Sequence, residues 1–247
     1  MIEVLEQYRP HQVEMRRRLM YCCLTIALTS CIAYLFKEQI ASWCMQPLYM
    51  AYPDLGKLVY TNLMEAFISY LKLSLLTGLI VSFPFILYQA WLFIAPGLRK
   101  HEQQLVRRIT LWGSLLFAGG ALFAFFIVLP TLLAYFMSYA GEDLTPMIKI
   151  GLYLTFIART ILAFALAFEI PFLMVMATRT GLLARDHFQK NRTYFYIAIL
   201  VLAFLLAAGD PVAALLISLP LFVLYETGIL AGRIFANRKT HQDPANR

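Results

Sequence analysis

The sequence predicts an all-α, polytopic membrane protein with six transmembrane helices, both termini cytoplasmic and the last two helices short. Of its 247 residues, 61% are hydrophobic and 14% are charged, and the mean hydropathy is +0.68. Soluble domains carry about 25% charged residues and roughly 45–50% apolar ones. Long uncharged runs alternate with polar loops, and every second loop is rich in Lys and Arg. A membrane-spanning bundle explains all three features.

Each predicted span is an apolar run of nearly membrane-spanning length. A helix rises about 1.5 Å per residue, so a hydrocarbon core of about 30 Å takes about 20 residues. The fifth and sixth runs reach only about 20–24 Å, so their polar ends must enter the bilayer or the membrane must thin around them. The predicted spans are 19–36, 73–95, 109–136, 150–178, 194–208 and 212–225.

Basic residues indicate the orientation of these spans. Sixteen Lys and Arg residues fall in the two terminal segments and in two alternate loops, whereas only three fall in the opposite loops. Cytoplasmic loops are enriched in Lys and Arg, so both termini are predicted to be cytoplasmic. We expect a single membrane domain. It consists of a cytoplasmic segment 1–18, a six-helix region 19–230 and a cytoplasmic tail 231–247.

Several functional classes find no support in the sequence. The four histidines have neither metal spacing nor a Ser or Cys partner in a nucleophile elbow. The four cysteines lack the spacing of a zinc site or a disulfide framework. Gly119-Gly120 lies inside a span, where close helix packing is expected. Basic residues mark membrane edges and form no stripe with interleaved aromatic residues. We expect no enzyme activity, cofactor, metal or nucleic-acid partner.

The run 82–108, SFPFILYQAWLFIAPGLRKHEQQLVRR, joins the second span to a basic loop. An aromatic belt followed by Lys and Arg is typical of the cytoplasmic edge of a bilayer. In the order of its aromatic residues, Gln89, proline and the closing His101-Glu102, this run resembles the second helix and first cytoplasmic loop of the TatC family. Members of that family are the multi-spanning receptor subunits of the twin-arginine protein translocase.

The resemblance covers about residues 8–235 and includes the start of the first helix. His11, Glu14 and Arg18 share one helical face at i, i+3 and i+7. The sequence departs from the family at Gln12 and Met15, where leucine is usual. It departs again near the last turn, where Ala213 and Ala214 replace a polar residue and glutamine.

The resemblance implies that the chain binds twin-arginine signal peptides of folded cargo and assembles with TatA- and TatB-type single-span subunits. It also implies self-association in the lipid of a bacterial inner membrane, and export that draws on the proton-motive force. The residues implied in signal-peptide binding are His11, Glu14, Arg16, Arg18, Phe93, His101 and Glu102. Those implied in assembly or transport are Pro47, Glu65, Gln89 and Glu169.

Glu14 and Glu102 suit this work because a carboxylate matches the planar fork of an arginine, whereas lysine offers only a point charge. From the residues alone, each could equally be a charge companion of its basic neighbours, worth a few tenths of a kcal/mol. Glu169 lies inside a span, where a carboxylate costs a few kcal/mol. It either serves a polar contact there or caps backbone freed by Pro171.

Two other readings of the polar residues remain open. A small secondary transporter would use Glu169, Arg159 and Glu65 for coupling, although the sequence shows no internal repeat of the kind many transporters have. A purely structural scaffold would tolerate changes at all of these positions.

The six-span prediction can be tested with a reporter that is active only outside the cytoplasm. We expect activity from fusions within 38–65, within 138–148 or near Asp210, because these segments follow odd-numbered spans. A fusion at the carboxy terminus should be inactive. Activity there would require an odd number of spans.

Overall fold

The computed structural model describes residues 2–51, 58–59, 62–94, 106–139, 147–179, 183–184, 186–207 and 209–237. Within these ranges most residues are helical, short turns join the helices, and one isolated bridge pairs Val59 with Lys149. Five helices are long and apolar enough to cross a membrane, and a sixth apolar helix is shorter. Because helices satisfy their own backbone hydrogen bonds, they are the expected spanning element in hydrocarbon. The prediction of an all-α polytopic fold is confirmed.

The helices keep the order that the apolar runs predicted. A π-helical turn interrupts the third span, where the amide of Leu129 donates to the carbonyl of Ala124. The helices are α1 (Ile2–Leu35), α2 (Lys37–Ala51), α3 (Leu63–Ile94), α4 (Val106–Phe123), the π turn (Ala124–Val128), α5 (Leu129–Met137), α6 (Ile150–Arg179), α7 (His187–Lys190), α8 (Arg192–Leu206) and α9 (Pro211–Asn237).

The fifth span is short, as predicted, since α8 has 15 residues. The prediction of a short sixth span is wrong. Helix α9 has 27 residues, and its apolar part runs from Pro211 to Arg233 rather than stopping at Tyr225. The apolar count ended at Glu226, but Arg192 and Tyr196 bind that carboxylate and the helix continues past it.

The described residues fall into two compact units. The first comprises those within Met1–Met45, Leu58–Leu115 and Ile148–Ala158. In this unit α1 packs along α3 through small residues. A methyl group built on Gly78 would lie 2.6 Å from the backbone nitrogen of Ser30, and Thr29 donates to the carbonyl of Gly78 at 2.9 Å. Close backbone approach through small residues is a common way for membrane helices to associate.

The second unit comprises the described residues within Gln46–Lys57, Leu116–Met147 and Arg159–Arg247. Gly120 lies against α6, where a methyl group would come 2.7 Å from the carbonyl oxygen of Phe164. The close packing predicted for the glycine pair therefore involves Gly120. Gly119 has no neighbour within 4 Å of such a methyl group. Asp210 directly precedes α9 and caps it, since its carboxylate accepts a hydrogen bond from the amide of Ala213 at 2.7 Å.

Replacing Gly78 with alanine should destabilise the protein by about 1–3 kcal/mol, because Ser30 would have to move. The measurement is thermal unfolding of the purified protein in detergent. Gly119→Ala is the matched control, and the helix preference of alanine should leave it neutral or more stable by about 0.8–1.0 kcal/mol. Equal melting temperatures for Gly78→Ala and Gly119→Ala would contradict close α1–α3 packing at Gly78.

Candidate functional site

A polar cluster lies between α1 and α3 within the first unit. The guanidinium of Arg18 is held by two side chains. Its Nε donates to Oε1 of Glu14 at 3.1 Å, its Nη2 forms a close ion pair with the same oxygen, and its Nη1 donates to Oε1 of Gln89 at 3.3 Å. The i, i+4 spacing brings Glu14 and Arg18 together on α1, and helix packing adds Gln89. We call Glu14, Arg18 and Gln89 the Arg18 cluster.

The cluster leaves part of Glu14 available. Both of its bonds to Arg18 use Oε1, and Oε2 has no hydrogen bond to any described residue. The side chain of Glu14 is 39% exposed, against 21% for Arg18. Arg17 is occupied elsewhere, since its Nε donates to the hydroxyl of Tyr21 at 3.1 Å, and Arg16 is exposed. Glu14 therefore presents a carboxylate oxygen, Oε2, that no described residue binds, beside the exposed Arg16.

Gln89 was grouped with assembly residues on sequence grounds, yet it contacts Arg18 of the signal-peptide set. Phe93 lies four residues further along α3, half-buried one residue before the helix ends. Glu102 and His101 lie outside the described residues, as does the side chain of His11.

Glu65 holds the start of α6 within the first unit. Its Oε1 accepts the amide of Gly151 at 3.2 Å, where α6 presents unpaired amides and a favourable dipole. The Cγ of Glu65 lies 3.0 Å from the position a methyl group on Gly151 would take, so a side chain there would be crowded. Lys72, seven residues after Glu65 on α3, is exposed. Pro47 is fully buried on α2.

Glu169 is 4% exposed in the middle of α6. The backbone of Phe117 is the polar group that approaches it, but neither carboxylate oxygen completes a hydrogen bond with a described residue. The alternative, in which the carboxylate of Glu169 caps backbone groups freed by Pro171, requires a hydrogen bond between them. The described residues show no such bond. A buried polar group without a partner lowers stability. Glu169 therefore weakens the fold at the place where it lies.

A second polar cluster was missed as a site on sequence grounds. In the second unit, Glu226 of α9 accepts from Arg192 at 3.1 Å and forms a short hydrogen bond with the hydroxyl of Tyr196. The adjacent Tyr225 donates to the carbonyl of Phe188 at 2.7 Å. The pairing joins residues 34 apart, so helix periodicity could not reveal it. The cluster fixes the start of α8 against α9.

Within the described part of the chain, no three His, Cys, Asp or Glu side chains lie close enough to hold a metal ion. The polar groups instead form isolated ion pairs and helix caps. Such an arrangement is chemically suited to binding charged groups at the ends of membrane helices.

Comparison with known proteins adds to this geometry. The model of the family described as Sec-independent protein translocase protein (TatC) matches residues 10–220. The chain is 33% identical to such a protein of Desulforapulum autotrophicum over 94% of this chain and 86% of that one. It is 31% identical to TatC of Escherichia coli K12 over 94% of this chain and 90% of the relative. A crystal structure of the twin-arginine translocase receptor TatC matches with a TM-score of 0.84 and 31% identity, over 92% of this chain and 99% of that one.

The six apolar helices and the ion pairs at their ends define a multi-pass membrane protein. With the family model matching most of the chain, the class narrows to components of a protein translocase. The chain belongs to the TatC family.

Replacing Glu169 with methionine should leave the melting temperature in detergent unchanged or raise it, because a buried polar group without a partner costs about 1–3 kcal/mol. Glu226→Met is the matched control. It should lower the melting temperature, since Arg192 and Tyr196 would lose their shared partner. A clear loss of stability in Glu169→Met would mean that its carboxyl makes a stabilising contact.

Proposed function

We propose that this chain is the receptor subunit that binds twin-arginine signal peptides at the cytoplasmic face and starts the export of folded proteins. The observation that carries this proposal is the Arg18 cluster, in which Arg18 orients Glu14 through Oε1 and no described residue binds Oε2. Membership of the TatC family makes such peptides the expected ligand. The similar crystal structure is that of a twin-arginine translocase receptor, which supports this proposal.

Glu14 would receive one arginine of the peptide through Oε2. Arg18 already occupies Oε1 and is itself held by Gln89, so the carboxylate loses little freedom when the peptide binds. A guanidinium donates in fixed, planar directions that suit such an oriented oxygen, whereas an ammonium does not. Gln89 thus serves the peptide site indirectly, by holding the guanidinium of Arg18 in the position from which it orients Glu14.

Glu102 would receive the second arginine, by analogy with the family, and His101, Phe93, His11 and Arg16 would line the same surface. Arg99, Lys100, Arg107 and Arg108 surround Glu102 in sequence. These cations would repel basic peptides that cannot reach both carboxylates. Such repulsion adds to selectivity.

Assembly with TatA- and TatB-type subunits, and self-association, would follow peptide binding. Glu169 is the residue we assign to this later stage, together with Pro47 and Glu65. A buried carboxyl that weakens the fold has a reason to be kept if a partner helix or a moving proton uses it. We expect Glu169→Met to stay abundant in the membrane and to export poorly. The proton-motive force is the proposed energy source.

The proposed location is the bacterial inner membrane, with both termini in the cytoplasm. The excess of Lys and Arg in the terminal segments and alternate loops supports this orientation. We propose that the chain acts there as one membrane domain flanked by the cytoplasmic segments 1–18 and 231–247.

A secondary transporter is the less favoured alternative. It would need Glu169, Arg159 and Glu65 as coupling groups. Glu65 is engaged in capping α6, and Arg159 is exposed on the same helix. Loss of Glu14 or Glu102 would be harmless in a transporter and damaging in a signal-peptide receptor.

Removing either Glu14 or Glu102 should weaken binding of a twin-arginine peptide by about 1.5–3 kcal/mol, the worth of a hydrogen bond to a charged group. Among Glu102 variants, Lys should be worst because it adds a repelling charge, Ala intermediate and Gln nearest to wild type. Arg18→Gln should also weaken binding, because Glu14 would lose its orientation. The measurement is crosslinking of a photoreactive twin-arginine peptide to each variant, beside a twin-lysine peptide.

Arg17→Gln is the control for Arg18→Gln, since Arg17 is adjacent but bonded to Tyr21 instead of Glu14. It should bind the peptide like wild type. Each variant must be present at normal levels for the comparison to hold. Equal crosslinking by wild type and Glu102→Lys would remove Glu102 from the site, and equal crosslinking by Arg17→Gln and Arg18→Gln would remove the orienting role of Arg18.

A further inference from the structure

Helix α2 is an amphipathic helix outside the apolar spans, and its two sides differ. One side is buried through Ala41, Cys44 and Leu48, and burial raises the pKa of the Cys44 thiol to about 11. On the other side the indole of Trp43 is 64% exposed. Met50, two helical turns further along, is exposed as well. An exposed tryptophan on a helix outside the spans calls for an explanation.

The start of α2 is held at the edge of the membrane. Only Phe36 separates it from α1, whose last residue Leu35 is apolar and 79% exposed. The ammonium of Lys37 lies 4.6 Å from the ring centre of Tyr34 and 5.6 Å from that of Tyr70. Tyr70 is six residues inside the span that begins at Met64. Lys37 therefore lies beside the outer end of α3.

The middle of α2 is held at a similar depth. The hydroxyl of Tyr153 donates to the carbonyl of Cys44 at 2.8 Å. Tyr153 belongs to the first turn of the span that begins at Ile150. Lys37 and Cys44 are about 10 Å apart along the helix axis, and both contact the ends of spans within the first unit. This part of α2 therefore lies beside the first turns of two spans.

We infer that the exposed side of α2 lies on the phospholipid headgroups of the leaflet opposite the amino terminus, with Trp43 as its anchor. Tryptophan prefers this region because its indole is apolar and carries one hydrogen-bond donor. The neighbours of Trp43 on the exposed side, Gln39, Ser42 and Gln46, are uncharged, and the exposed Glu38 lies in the first turn of the helix. The lipid-facing surface of α1 leads directly into this side through Leu35 and Phe36. A bilayer surface, and not a second copy of the chain, therefore fits it.

Tryptophan fluorescence can test this inference on the full chain in lipid vesicles. The chain has three tryptophans: Trp43, the buried Trp91, and Trp112, which is exposed within a span. The signal of Trp43 is the difference between wild type and Trp43→Phe, and that of Trp112 is obtained in the same way from Trp112→Phe. Vesicles contain phosphatidylcholine brominated near the headgroup or near the chain end, and iodide is added on both sides of the membrane.

We expect bromine near the headgroup to quench Trp43 at least about twofold more than bromine near the chain end, since indoles favour the headgroup level. Trp112 supplies the reference for a lipid-exposed indole and must be quenched by brominated lipid. Quenching of Trp43 by iodide without quenching by either brominated lipid would overturn the inference, because the face would then meet water. Protection of Trp43 from both quenchers would overturn it too, by showing that protein covers the face.

Discussion

The low dielectric of the membrane demands that each charged group at a helix end or inside a span be matched by a partner. Arg18 meets this demand through Glu14 and Gln89, and Glu226 meets it through Arg192 and Tyr196. Both pairs are only partly buried, so their value lies less in stability than in position. Each fixes a polar side chain at a set place relative to the helices that carry it.

The Arg18 cluster shows how such a pair can also prepare a binding site. A carboxylate already held by one guanidinium through a single oxygen is oriented for a second one. The entropy of ordering that side chain is spent in folding and not in binding. The proposed receptor function needs a carboxylate that is both fixed and still able to accept, and Glu14 has both properties. An exposed glutamate without a partner could accept a hydrogen bond but would not be fixed in position.

Glu169 stands apart because the described residues offer its oxygens no hydrogen bond. The helix around it is otherwise tightly packed, with Gly120 against Phe164 and Gly228 against Met174. A carboxyl in such surroundings lowers stability, while the paired glutamates of the protein do not. This contrast is the reason why we propose a functional role, and not a folding role, for Glu169.

The sequence by itself determined the class of fold and the order of the spans, because hydrocarbon burial follows directly from runs of apolar residues. It also placed Glu14 and Arg18 on one face of the first helix, which needs only helical spacing. Tertiary structure decided the contacts that join distant positions: Gln89 with Arg18, Glu65 with the amide of Gly151, and Glu226 with Arg192. It also decided the length of α9. A count of apolar residues stops at the charged Glu226, whereas in the folded protein neighbouring side chains bind that charge and the helix continues. Local rules act over a few residues, whereas a partner for a buried charge depends on which helices meet.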